Sequence, residues 1–165
     1  SSLTKGRNKM QKVVNITVAG LGGQGVLTVT DIIAEVMFRA GFDVKKSEVH
    51  GMSQRGGSVS SEVRYGKEVA SPMVPEGESD FLIVMEPTQV EVNRHKLKAG
   101  GVLITTDDVP MDKLTNPKAL NTMMLGALSK HLELADESWL AVIKERLPEK
   151  LHALNIEMFE LGRNA

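Results

Sequence analysis

Gly20-Leu21-Gly22-Gly23-Gln24-Gly25 carries the spacing G-x-G-x-x-G. Glycines at those positions let a turn tighten and let backbone approach a ligand with no Cβ in the way. The preceding Val13-Val14-Asn15-Ile16-Thr17-Val18-Ala19 is rich in β-branched residues and reads as a buried strand. After it, Val26, Val29, Ile33, Val36 or Met37, and Ala40 recur at three- and four-residue steps. That spacing predicts a helix over 25–40, closed by Gly41. A glycine turn that opens a helix presents unpaired N–H groups and a partial positive charge, which suit a phosphate. Gly22, Gly23, Gln24 and Gly25 are therefore expected at a cofactor-binding site, the alternative being a tight turn with no ligand. A nicotinamide dinucleotide would also need an acid about 20 residues on, at the end of the second strand. Asp43 falls at the start of that strand, and Glu48 runs straight into the loop that follows. Hydride transfer is open and not favoured.

A second constellation is His50-Gly51-Met52-Ser53-Gln54-Arg55-Gly56-Gly57-Ser58. Arg55 can hold a carboxylate or phosphate through two parallel hydrogen bonds. Gly56 and Gly57 let the chain turn close beside it. A structural ion pair is an equal use of the same arginine. In an open α/β sheet this loop leaves the second strand at the carboxyl edge that the glycine turn also occupies. The two loops are thus expected to share one cleft, with Ser53, Arg55, Gly56 and Gly57 completing the cofactor-binding set. His50 has the chemistry of a general acid or base, but no partner is visible, and a hydrogen-bonding structural role is the alternative. His95, His131 and His152 fall on predicted helices and are expected to be solvated. No His/Asp/Glu grouping has metal-ligand spacing, and no serine lies in G-x-S-x-G. No catalytic residue is identified and no metal is expected.

The elements that must position these loops follow from the same patterning. Phe42 to Val49 is a second strand, polar enough to lie near an edge. Ser58 to Tyr65 alternates, as a half-buried and antiparallel strand would. Residues 71–79 form an irregular loop around Pro72, Pro75 and Gly77. Phe81-Leu82-Ile83-Val84-Met85 is a continuous apolar run, expected for a central parallel strand. Pro87 begins a helix that should end near Gly100-Gly101, with a strand from Val102 to Thr106. After Pro117 three helices are predicted: one capped by Asn116 or Thr115 and reaching about His131, one from Asp136, and one from Pro148 to near Gly162. The last has a stripe of Leu151, Leu154, Met158 and Leu161. Met123-Met124-Leu125 reads as core or subunit contact. The expected fold is α/β: a Rossmann-like three-layer domain with a mostly parallel central sheet and a helical C-terminal segment.

Composition bounds the function. The 165 residues, 41% hydrophobic, suit one domain, expected over 13–165. Residues 1–12 read as a flexible tail or a remnant of expression, with Met10 a candidate natural start. Twenty basic and 21 acidic residues give a net charge of -1, no footprint for nucleic acid or an anionic membrane. No apolar run approaches the ~20 residues of a membrane span, and no signal-like stretch is present, so a cytoplasmic location is expected. There is no cysteine. Disulfides, a cysteine nucleophile and cysteine-ligated iron–sulfur clusters are excluded from this chain. If it serves a redox enzyme, the electrons pass through other chains.

The glycine turn, the segment Glu48 to Ser58, the stretch Ser71 to Glu76 and the later Asn121 to Ala127 together resemble the gamma subunit of 2-oxoacid:ferredoxin oxidoreductases. Glu48-Val49-His50-Gly51-Met52-Ser53-Gln54-Arg55-Gly56-Gly57-Ser58 is especially similar to the small beta subunit of the indolepyruvate:ferredoxin type. The resemblance spans about Val14 to Gly162. It implies a non-redox subunit of a complex that oxidatively decarboxylates a 2-oxoacid, makes an acyl-coenzyme A and reduces ferredoxin. It further implies that thiamine diphosphate and iron–sulfur clusters reside in partner subunits, and that coenzyme A is the ligand near this chain, with nothing bound covalently. The expected partners are the thiamine-binding and iron–sulfur chains, with ferredoxin reached through the complex and a dimer also open. The other readings are a free-standing NAD(P)-binding reductase and a purely structural subunit.

Overall fold

A computed structural model describes residues 12–50 and 57–165, the side chains of Val49 and His50 excepted. Its centre is a five-stranded sheet of β1 (Val14–Leu21), β2 (Asp43–His50), β3 (Ser58–Gly66), β4 (Ser79–Val84) and β5 (Leu97–Ile104), in the order β2-β3-β1-β4-β5. β4 and β5 run parallel to β1, whereas β3 is antiparallel to both β1 and β2. Four strands therefore point one way and β3 is reversed, as its alternating pattern predicts. Polar β2 forms one edge.

Helix α1 (Val26–Arg39) connects β1 to β2 and spans β3. Its apolar stripe, Val26, Val29, Ile33, Val36 and Met37, is buried. It ends in a paired-bond C-terminal motif: Gly41 N–H donates to Phe38 O at 3.0 Å and Phe42 N–H to Met37 O at 3.2 Å. Gly41 has φ 97°, a conformation glycine adopts without a Cβ penalty. From β4 the chain crosses to β5 through an irregular segment, the short helix α2 (Val90–Asn93) between 3-10 turns at Pro87–Gln89 and Arg94–Lys96. The α1 crossover moves from β1 toward β2, while this one moves the opposite way along the sheet. Right-handed connections therefore place them on opposite faces.

The C-terminal helices α3 (Leu120–Ser129), α4 (Asp136–Glu145) and α5 (His152–Arg163) pack on the α1 side. One hydrophobic core joins Ile16, Val18, Val63, Tyr65, Ile83 and Ile104 of that sheet face to α1 and to Met123, Met124, Leu128, Trp139 and Phe159. Leu82 and Val84 are equally buried but lie outside it, on the crossover side. The three layers expected are present, with the crossover layer reduced to one short segment.

Two boundaries differ from the sequence pattern. The helix expected from Pro87 to Gly100 stops at Lys96, and β5 begins at Leu97 rather than Val102. Gly100 (φ 80°) lies in an irregularity where pairing jumps from Ser79↔Leu97 to Phe81↔Val102. A glycine pair reads equally as a helix stop or as a bulge, and only the neighbouring strand decides which. In α5 the buried residues are Asn155, Met158, Phe159 and Gly162, while Leu151, Leu154 and Leu161 flank them half-buried.

Candidate functional site

The two crossovers leave the sheet in opposite directions between β1 and β4. That is the switch point where open α/β sheets hold ligands beyond the carboxyl ends of their strands. The glycine turn lies there. Gly23 and Gly25 both have positive φ, 89° and 84°. Gly25 is the N-cap of α1 and provides no side chain to cap it. The N–H groups of Val26, Leu27 and Thr28 therefore have no acceptor within the helix. They border a cavity of about 320 Å³ lined by Leu21, Gly22, Gly23, Gly25, Val26, Leu27, Thr28 and Val59. An anion of phosphate size fits that combination of open space, free donors and helix polarity.

The structure divides the expected turn residues by role. Gly22 N–H donates to Gly57 O at 2.9 Å, and Gln24 N–H to Leu21 O at 3.1 Å, so both amides are used internally. The Gln24 side chain folds back on its own turn, where Oε1 accepts from Leu21 N–H at 2.7 Å. Its Nε2 donates to Glu86 Oε2 at 2.9 Å. A Cβ on Gly20 would stand 2.8 Å from Gln24 Oε1, and one on Gly25 would overlap the Asn121 side chain. Gly20 is thus glycine to admit Gln24, and Gly25 to admit both its φ and Asn121. Among the described residues, the amides left for a ligand are those of Gly23, Gly25 and the first turn of α1.

The bond from Gly22 to Gly57 sets Gly57, the residue that leads into β3, beside the glycine turn. Ser53, Arg55 and Gly56 lie outside the described residues, as does the His50 side chain. Sequence patterning missed Glu86, Gln89 and Asn121. Glu86-Pro87 reads as a helix start, and Asn121 as one polar residue in a helical segment. Nothing local shows that Glu86 and Asn121 meet the turn, or that Gln89 meets Ser58 at the start of β3.

The acid required by a dinucleotide site is badly placed. β3 sits between β1 and β2, so the end of β2 is two strand spacings, about 10 Å, from the glycine turn. Asp43 lies at the far edge and accepts from Val69 N–H at 2.8 Å. Two other hollows exist among the described residues. A groove of about 650 Å³ between α1, β2 and α4 is lined by charges engaged with each other, Arg39 with Glu35 and Glu145, Lys46 with Asp31. A smaller one of about 150 Å³ on the crossover face holds Ser60, Glu62, Glu76, His95 and Lys96. Lys96 Nζ donates there to Ser60 Oγ at 3.2 Å. Burial pushes the Glu62 carboxyl above its ordinary value and the Lys96 amine below its own. The three histidines expected to be solvated divide. His95 is exposed, and exposed His131 lies with its ring 5.9 Å from that of Phe81. His152 is half-buried and its Nε2 bonds Lys144 O and Leu147 O, at 2.8 and 2.9 Å.

The family model for pyruvate ferredoxin/flavodoxin oxidoreductase matches residues 15–165. The chain belongs to that family. Among its relatives is the indolepyruvate oxidoreductase subunit IorB of Thermococcus kodakarensis, 32% identical, with 93% of this chain and 96% of the relative aligned. The keto/oxoacid ferredoxin oxidoreductase gamma subunit from Geobacter sulfurreducens PCA shares the fold, with TM-score 0.74 and 24% identity over 92% of this chain and 96% of that one. So does a 2-oxoglutarate:ferredoxin oxidoreductase from Magnetococcus marinus with 2-oxoglutarate, coenzyme A and succinyl-CoA bound, TM-score 0.81 and 23% identity. That alignment covers 93% of this chain and 31% of the longer one. The expected resemblance to gamma-type subunits holds across nearly the whole chain.

Proposed function

We propose that this chain is the non-redox subunit of a 2-oxoacid:ferredoxin oxidoreductase complex and forms part of its coenzyme A cleft. The observation that carries the reading is the uncapped N-terminus of α1 opening onto the cavity at the switch point. Coenzyme A is a phosphate-rich ligand, and the Magnetococcus enzyme that shares this fold has it bound. The amides of Gly23, Gly25, Val26, Leu27 and Thr28 would take its phosphate oxygens. Arg55, with Ser53, Gly56 and Gly57, would close the other side of the cleft. A chain without cysteine supplies no thiolate for an iron–sulfur cluster. On this reading, electron transfer passes through partner subunits, which also carry thiamine diphosphate and select the 2-oxoacid, and the complex works in the cytoplasm.

Calorimetric titration of the assembled complex with coenzyme A tests this. Gly23 has no described residue within reach of an added Cβ but φ 89°, so Gly23→Ala distorts the turn without a collision among the described residues. It is expected to weaken coenzyme A about tenfold, and Arg55→Ala by at least as much, as loss of a charge-assisted contact does. Unaltered binding in both variants would reject the cleft. The alternative of an NAD(P)-binding reductase has less support, because β3 separates Glu48 from the turn.

A further inference from the structure

The segment just after β4 reaches both glycine-rich loops. Glu86 Oε2 accepts from Gln24 Nε2 at 2.9 Å, and Gln24 in turn holds Leu21 N–H. Three residues on, Gln89 Oε1 accepts from Ser58 Oγ at 2.7 Å, where the second loop enters β3. Gly22 N–H to Gly57 O closes a ring of three chain segments beside the cleft. The base of that ring is fixed to the sheet, since Met85 N–H donates to Ala19 O at 2.8 Å.

We propose that Glu86 and Gln89 are positioning residues for the cleft, Glu86 acting through Gln24 on the glycine turn and Gln89 through Ser58 on the second loop. This rests on the reading of the cleft as a coenzyme A site. The chemistry of Gln24 requires an acceptor at one end. Its Oε1 is committed to a backbone donor, so its NH₂ must point the other way. Glu86 supplies that acceptor as a carboxylate, which makes the bond charge-assisted. An inverted Gln24 amide would set NH₂ against N–H and oxygen against carboxylate, so both ends select one orientation. Without Glu86 the side chain loses that selection, Leu21 N–H loses a fixed acceptor, and the turn amides lose their common direction. Glu86 itself does not line the cavity. A carboxylate facing an incoming phosphate would repel it. Held against Gln24, it orders the donors from behind.

The test uses the assembled oxidoreductase. Two readouts are taken together: kcat and KM for coenzyme A at saturating 2-oxoacid and ferredoxin, and amide hydrogen exchange of the peptide covering residues 19–28. Glu86→Ala and Gln89→Ala are expected to raise KM for coenzyme A, the first about tenfold and the second about fivefold, with kcat within about twofold. Exchange at Leu21 should accelerate in Glu86→Ala. Glu86→Gln keeps an acceptor and should restore KM to within about threefold. The Gln24→Ala/Glu86→Ala double variant should be no worse than the weaker single variant, because the two act as one unit.

Gly23→Ala separates this proposal from the reading beneath it. If Gly23→Ala raises KM while Glu86→Ala and Gln89→Ala change neither KM nor exchange, the positioning role is overturned and the coenzyme A cleft stands. If Gly23→Ala and Arg55→Ala both leave KM unchanged, the coenzyme A reading falls, and accelerated exchange at Leu21 alone then decides for or against the Glu86 contact. A Glu86→Ala variant that loses kcat and melting temperature together at constant KM also overturns the proposal, since it would mark Glu86 as merely structural.

Discussion

Tyr65 is the only tyrosine in the sequence, and it lies buried in β3 with its ring 5.2 Å from that of Phe42. Burial, and then the charge of Asp80, push its phenol up to about 12. An unfolded tyrosine loses its proton near pH 10. Between those values the folded chain binds more protons than the unfolded one, so stability must fall as pH rises above about 10. Absorbance of the isolated chain at 295 nm should therefore titrate with a midpoint near 12 when native and near 10 in denaturant. A native midpoint at 10 would show that Tyr65 is not buried. At this same scale the sequence marked the turn glycines Gly23 and Gly25, because a positive φ restricts the residue type whatever surrounds it. It was silent on what Gln24 touches. Glu86 is 62 positions away, and no local pattern encodes a hydrogen bond across that distance.

Helices α3 and α5 cross through a pair of reciprocal glycines. A methyl on Gly126 would overlap the carbonyl oxygen of Phe159, and one on Gly162 that of Met123. Backbone cannot yield as a flexible side chain does. Gly126→Ala is therefore expected to destabilise the fold by about 3 kcal/mol, despite the better helix propensity of alanine. Thermal melting checks this, and a rise in melting temperature would mean that the helices are not in such close contact. The contrasting substitution is Gly41→Ala, with open space around it but φ 97°. It should cost only about 1 kcal/mol, from the strained backbone alone. Helix existence was legible from apolar spacing in α1 and α5, and from cap residues in α3 and α4. The crossing glycines were not, since Gly162 reads as the end of a helix and Gly126 as an interruption within one. The same ambiguity moved the start of β5 from Val102 to Leu97.

Over the described residues, the four longer helices share one face of the sheet, and the Pro87–Lys96 crossover and the loop around Pro75 lie on the other. The purified chain is expected to melt cooperatively yet show no 2-oxoacid decarboxylation, with turnover appearing only when the thiamine-binding and iron–sulfur subunits are added. Ferredoxin reduction by the chain alone would sink the subunit assignment. The sequence by itself determined the α/β class, the glycine turn between its first strand and helix, the reversed third strand, and a chain without thiolates for electron transfer. These depend on period, residue type and composition, all of which are local quantities. Only the tertiary structure decided that β3 separates β1 from β2, that Gly22 meets Gly57, and that Glu86 and Asn121 stand at the glycine turn. Those are pairings between distant segments. They are set by which arrangement of strands and helices buries the common core, and no stretch of sequence carries that choice alone.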